Sequence, residues 1–186
     1  VILVDDFLTR RAHDAKPYPH GLGTNIPLDY DEMTVADELA AIHAVHEMGI
    51  EMMLFVCGYI FDAAKHDADI RNALLWVRDT GIAIAGHGYY HTEPEHLAGY
   101  VPYGEMTLNA MKGFGIKPPY LWRYPRHEEV GKAYIQRIGF ELVPYHHYLD
   151  PELNKRRTLD VLRGHEHHNA WVHSCYLTKV YLEEVK

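Results

Sequence analysis

Short runs of apolar, β-branched residues alternate along this chain with stretches whose apolar positions recur every three or four residues. Val1-Ile2-Leu3-Val4 is the first such run, and it ends at Asp5-Asp6, which predicts a buried strand delivering two carboxylates. The segment from Phe7 to about Glu32, rich in Pro, Gly, Tyr, Asp and His, reads as a long loop, and loops of that length in a compact domain are usually functional or mobile. Thr34 followed by Asp37 resembles a capping box for a helix that places Val35, Leu39, Ile42 and Val45 on one face and stops at Gly49. Strand signal returns at Met52 to Cys57. Asp69 can cap a second helix, with Ile70, Ala73, Leu74 and Val77 inward and Gly81 as its stop. Ile82 to Ala85 forms a third strand that runs straight into Gly86-His87-Gly88-Tyr89-Tyr90-His91.

A helix is expected from Tyr103 to Phe114, an extended piece from Tyr120 to Tyr124, and a helix from about Glu128 to Ile138 with Gly139 as its stop. Phe140 to Tyr145 reads as a strand, Asn154 to His168 fits neither period, Ala170 to His173 is a last strand and Tyr176 to Val185 a last helix. Strands alternating with such helices indicate β/α units around a parallel sheet or barrel, the α/β class. With no internal repeat, low-complexity tract or linker, residues 1–186 read as a single domain.

Composition narrows the function classes. Hydrophobic residues are 47% and charged residues 24%, ordinary for a globular chain, and the formal net charge of -8 argues against a nucleic-acid binder. No run approaches the roughly 18 to 20 apolar residues that span a bilayer. The two cysteines form neither a disulfide framework nor a zinc-type pair, and Cys57 sits in an apolar run as a small buried hydrophobe. No signal peptide is recognisable, but the chain opens at Val1 already inside an apolar run, so compartment stays open, as does oligomeric state. The 15 histidines invite metal chemistry and also make chance His-x-x-x-His spacings common.

Position gives the histidines weight. In parallel β/α architectures chemistry gathers at the carboxyl ends of strands, and both Asp5-Asp6 and His87/His91 lie just beyond such ends. Two histidines and one carboxylate make a metal site with open positions, so Asp6, His87 and His91 are candidate ligands of one divalent ion, and Asp5 a candidate base beside it. Zinc leads the candidates, with cobalt, manganese, iron and nickel also suited. Taken separately, an Asp pair after a strand is more often a turn or a helix cap. The joint arrangement carries the reading.

These residues resemble the polysaccharide deacetylase family, the NodB-homology or carbohydrate esterase family 4 domain. Val4-Asp5-Asp6 sits where that family has Phe-Asp-Asp-Gly, and Met53 to Gly58 looks like its "ATFFVxG" strand. Val77 to Thr92 is similar to its "GHEIGNHTYSHP" segment, and Trp122-Arg123-Tyr124-Pro125 resembles its "FRPP" motif. The likeness runs from Val1 to about Tyr145. It implies a distorted or incomplete (β/α) barrel that hydrolyses an acetamide on an N-acetylated sugar or glycan. Asp5 would be the general base, Asp6, His87 and His91 the metal ligands, and Arg123 the residue orienting the base. Tyr124 and Pro125 would shape the acetyl pocket, with Tyr90 among the residues lining the groove. The family's late acid histidine corresponds to His173, which follows a strand and precedes a helix, in preference to His165.

The family's glycine after its aspartate pair is Phe7 here, its "RPPYG" reads Arg123-Tyr124-Pro125-Arg126-His127, and Tyr145 to Tyr148 stand where its fourth motif would be. These departures leave two rivals: a small-molecule amidohydrolase on the same scaffold, and a binding module that has lost turnover.

Overall fold

Every residue of β1 (Ile2–Asp5) is buried, as a strand covered on both faces must be. The computed structural model describes residues 1–8, 34–90, 100–124, 131–143, 151–163 and 170–184. Within them lie β2 (Met52–Val56), β3 (Ala83–Gly86), β4 (Tyr120–Trp122), β5 (Phe140–Leu142) and β6 (Ala170–His173). The helices are α1 (Val35–Glu47), α2 (Gly58–Ala63), α3 (Ala68–Thr80), α4 (Tyr100–Phe114), α5 (Lys132–Arg137), α6 (Pro151–Leu162) and α7 (Ser174–Glu184). The strands form one sheet in the order β5-β4-β3-β2-β1-β6, with every neighbouring pair parallel. Among the described residues the order is linear and the sheet does not close on itself, so the architecture is α/β with an incomplete barrel.

Strand parity divides the core. Ile2, Val4, Leu54, Val56, Ile84 and Trp122 belong to the larger cluster, shared with Ile42, Leu74 and Leu177 of the helices. Residues of the other parity, Leu3, Phe55 and Ala85, make a second cluster with Met53, Leu121 and Val143. Continuing that second parity past the strand ends leads from Leu3 to Asp5, from Ala85 to His87 and from Leu121 to Arg123.

Most local signals act as expected. Thr34 caps α1 through a reciprocal capping box: its hydroxyl accepts the Asp37 N–H at 3.2 Å, and Asp37 accepts the Thr34 N–H at 3.0 Å. Gly81 ends α3 in the left-handed region at φ 80°, where glycine carries no Cβ penalty. The cap of α3 is Asp67 rather than Asp69. Asp67 holds an extended backbone, so its carboxylate reaches the N–H groups of Asp69 at 2.9 Å and Ile70 at 3.1 Å. The six-residue helix α2 was hidden by its brevity and its lack of a side-chain cap. The helix α6 covers the first part of the stretch from Asn154 to His168 that fits neither period, and it begins upstream at Pro151, a residue preorganised for the first helical turn. The long loop after Leu8, the Glu128 start expected for the fifth helix, and Tyr145 to Tyr148 lie outside the described residues. No described helix is long and apolar enough to cross a membrane.

Two glycines let α4 approach the strand ends. A Cβ on Gly58 would stand 2.7 Å from the Tyr89 ring and 2.8 Å from the Thr107 Cα, and one on Gly86 would stand 2.9 Å from the Thr107 methyl. Gly58→Ala should therefore destabilise the fold by about 1–3 kcal/mol, the usual cost of overpacking. Gly113→Ala, within α4, where an added Cβ would meet nothing within 4 Å, should be neutral or stabilising by up to about 1 kcal/mol. Denaturant unfolding of the two variants checks the contrast, and equal stabilities would contradict it.

Candidate functional site

Past the sheet's carboxyl edge the backbone ladder continues for one more residue on several strands, and this fixes the site. Phe7 donates its N–H to the Phe55 carbonyl at 3.1 Å, His87 to Val56 at 3.0 Å, Arg123 to Gly86 at 2.8 Å and Val143 to Trp122 at 2.9 Å. Beyond His87 the chain turns at Gly88, φ 75°, whose carbonyl accepts the Gly58 N–H at 2.8 Å.

Parity brings Asp5 and His87 to one face, but Asp6 would point the other way from an extended chain. The backbone resolves this with a left-handed residue: Asp6 has φ 60° and Leu8 φ 57°. Such conformers cost a residue with a Cβ about 1–2 kcal/mol each, less for aspartate than for leucine. Phe7 and Leu8, both fully buried, anchor the turn in the larger cluster. The turn is the local device that places both carboxylates in one cavity.

There, His87 Nε2 lies 2.9 Å from Asp5 Oδ1 and 3.5 Å from Asp6 Oδ1, with all three side chains at most 8% exposed. Ligand atoms of the three lie within 4.8 Å of one another. The other ring nitrogen, Nδ1, is 3.0 Å from the Arg123 carbonyl oxygen and donates its proton to it. A neutral ring in that tautomer presents the Nε2 lone pair to two carboxylate oxygens. Three electron-pair donors converging in a buried site call for a proton or a cation among them. Oxygen and imidazole donors suit a divalent metal, and the Asp5 and Asp6 oxygens at 2.9 and 3.5 Å from Nε2 lie within the about 4.4 Å that two ligands held at about 2.0–2.2 Å from one ion can span. Among the described residues, two of the expected ligands, Asp6 and His87, meet here together with Asp5 in a donor set that could hold a metal ion.

Burial pushes the His87 pKa down, but the Asp5 charge and hydrogen bond, followed by Asp6 and the Arg123 carbonyl, outweigh it and hold the ring above the ordinary histidine range. Phe55 packs beside the ring at 5.8 Å between centroids and lies 5.9 Å beneath the Arg123 guanidinium.

Of the other expected residues, Arg123 is buried at the β4 exit and supplies the carbonyl that orients His87. Tyr124 packs in the larger core cluster, edge-on to Trp122. On β6, His173 occupies the register position beside Asp5. Tyr90 sits at the rim, half-buried and stacked on Tyr59 at 5.6 Å, with Tyr89 and Tyr103 edge-on. Pro125, His91 and His165 lie outside the described residues. Sequence reasoning did not single out Tyr59 and Tyr103, which pack with Tyr90. The signal for Tyr59 was available, since it follows a strand end through Cys57-Gly58, whereas Tyr103 arrives from a helix and carries no local mark. Tyr89 is structural in character: its hydroxyl donates to Asp62 at 2.6 Å, and burial followed by that carboxylate raises its pKa well above the usual phenol value.

No family model and no curated protein matches the chain by sequence. Solved structures do match. A family 4 carbohydrate esterase from Streptomyces lividans, determined with acetate, is similar at 16% identity and TM-score 0.54, covering 97% of this chain and 86% of that one. The peptidoglycan deacetylase PdaC from Bacillus subtilis is similar at 12% identity and TM-score 0.55, covering 81% and 77%. A Mycobacterium smegmatis protein assigned as a polysaccharide deacetylase is similar at 14% identity and TM-score 0.57, covering 98% and 82%. The chain thus has the polysaccharide deacetylase (NodB-type) fold.

The electrostatics of the site give a direct test. In chelator-treated protein the His87 ring protons should titrate with a midpoint above 6.5 by NMR, and Asp5→Asn should move that midpoint down. Because the folded pKa is raised, His87 contributes stability that is fully present below the unfolded value and is lost as pH rises through the folded one. A wild-type midpoint at or below 6.5 would contradict the arrangement.

Proposed function

We propose that this protein is a metal-dependent hydrolase that removes N-acetyl groups from an amino sugar or glycan. The observation that carries the reading is the buried convergence of Asp5, Asp6 and the His87 Nε2 lone pair at the carboxyl end of a NodB-type sheet. The likeness to carbohydrate deacetylases supports the substrate class, and the departures at Phe7 and at Arg126-His127 leave the particular glycan open.

Asp6 and His87 would hold the ion, with His91 as the expected third ligand, and zinc is the first candidate. When bound, such an ion polarises the amide carbonyl and makes water acidic enough to attack near neutral pH. The protein's own groups do the rest. Arg123 accepts the His87 Nδ1 proton through its carbonyl, which keeps Nε2 as a lone-pair donor toward the ion. Asp5 takes a proton from the attacking water as the new C–O bond forms. The C–N bond then breaks as His173, next to Asp5 in register, gives a proton to the departing amine, so that acetate and a free amino sugar are the products. Phe55 and the buried β-strand ends keep bulk water from the back of the site. Tyr90 at the rim would meet the sugar, since an aromatic ring suits an apolar sugar face.

Elemental analysis of the purified protein should find about one divalent metal per chain, as expected for a single site. An Asp6→Ala, His91→Ala double variant should lose it. The wild type, with zinc or cobalt added, should release acetate from N-acetylglucosamine oligomers, and Asp5→Asn should lower kcat by roughly 10²- to 10⁴-fold, the range for loss of a general base. Metal without acetate release from oligomers, but with turnover of small amides, would favour the small-molecule amidohydrolase. Failure to bind metal after reconstitution would sink the proposal.

A further inference from the structure

Glu38 lies in the first turn of α1, outside every motif considered above, and among its bonds to described residues are two on one oxygen. The Leu8 N–H reaches its Oε2 at 3.0 Å and the Ser174 hydroxyl at 2.5 Å. Both partners are distant in sequence, and both stand at exits of the sheet. Leu8 is the second left-handed residue of the turn that carries Asp6. Ser174 is buried, opens α7 and follows His173 directly, and its carbonyl accepts the Thr178 hydroxyl at 2.8 Å. One carboxylate oxygen therefore ties the exit of β1 to the exit of β6, the two strands that bear Asp5, Asp6 and His173.

A plain structural tie between α1 and α7 is the competing account. Apolar packing already supplies that contact, since Val35, Ile42, Val45, Leu177 and Val180 share one cluster. A carboxylate is a costly way to add to it, because its partial burial must be offset by the bonds it makes. Those bonds fall on the strained turn and on the residue after His173 rather than between the helix bodies.

We infer that Glu38 is a positioning residue, locking the Asp6–Leu8 turn to the β6–α7 junction and so setting the carboxylate pair against the His173 strand end. The part that concerns catalysis rests on the deacetylase reading above. Since a single oxygen accepts both bonds, the side-chain carbonyl of glutamine can replace it, whereas alanine cannot.

The full-length chain would be compared as wild type, Glu38→Ala, Glu38→Gln and Ser174→Ala, well below their unfolding temperatures. Zinc affinity, kcat and KM for acetate release, and amide exchange across Phe7 and Leu8 would be measured. Glu38→Ala should weaken zinc binding by about 10- to 100-fold, the usual effect of losing a group that supports metal ligands. It should also lower kcat with KM little changed and remove the protection of the Leu8 amide. Glu38→Gln should restore all three, and Ser174→Ala, which keeps the Leu8 bond, should lower kcat while sparing zinc affinity. A Glu38→Ala protein that melts earlier but binds zinc and turns over like the wild type would overturn the inference, leaving Glu38 as a fold support. Glutamine failing as alanine does would also overturn it, in favour of a requirement for charge. If Glu38→Ala does not fold, Ser174→Ala and Glu38→Gln decide between the same alternatives. Should the wild type itself neither bind zinc nor release acetate, the deacetylase reading fails and the catalytic part of the inference falls with it. Leu8 exchange still separates the cases: protection lost with alanine and kept with glutamine supports the lock, and unchanged protection overturns it.

Discussion

Two carboxylates and an imidazole lone pair, all buried within a few ångströms, cannot coexist without positive charge among them. Much of the surrounding structure is arranged to impose that condition. The Arg123 carbonyl fixes the tautomer of His87, so the ring cannot satisfy the carboxylates as a neutral donor through Nε2. The ladder bonds of Phe7, His87 and Arg123 hold the backbones that carry these groups. What can enter is a proton, which the carboxylates favour by raising the pKa of His87, or a metal ion, which uses the same lone pairs. A site of this kind is unfavourable as a purely structural element, because apolar residues of similar volume would stabilise the fold at lower cost.

Strand parity and backbone strain divide the work of assembly. Parity alone aligns Asp5, His87 and Arg123, since each lies two residues beyond an inward residue of the second cluster. Asp6 is the exception and depends on the left-handed turn. The family resemblance has glycine where this chain has Phe7, yet Phe7 itself is not among the left-handed residues, and its ring is fully buried. The substitution is therefore compatible with the turn: conformational freedom is needed at Asp6 and Leu8, and the bulk of Phe7 helps to pin the segment between them.

The sheet and most helices were legible because their signals are local. Periodicity located five strands to within a residue or two and placed the start of β5, which ends at Leu142 rather than Tyr145; the Thr34–Asp37 capping box set the start of α1, and Gly81 set the end of α3. The cap of α3 was misassigned between Asp67 and Asp69, two acids at adjacent candidate positions that only backbone geometry separates. The short helix α2 has no cap and too few residues for a period to register. For the site, position at strand ends identified Asp5, Asp6 and His87, and resemblance ordered their roles. The bonds that hold them were invisible in sequence: the Arg123–His87 contact spans 36 residues and passes through a backbone carbonyl, and Glu38 meets Ser174 across 136.

The titratable cluster and the tyrosine cluster sit on different supports. The carboxylates and His87 hang from β1 and β3, whereas the tyrosine rim is assembled from α2, the β3 exit and α4. Within the rim, Tyr89 is tied by its hydroxyl to Asp62 and buried, so it serves as the post on which Tyr90, Tyr59 and Tyr103 lean. Replacing the half-buried rings would alter what the rim presents without disturbing the ladder bonds beneath His87. Replacing Tyr89 or Gly58 would not have that freedom, because both lie against the backbone of the His87 turn and the face of α4. The carboxylates and His87 are thus held by the strands and their ladder, and the tyrosine cluster is carried by α2, the β3 exit and α4.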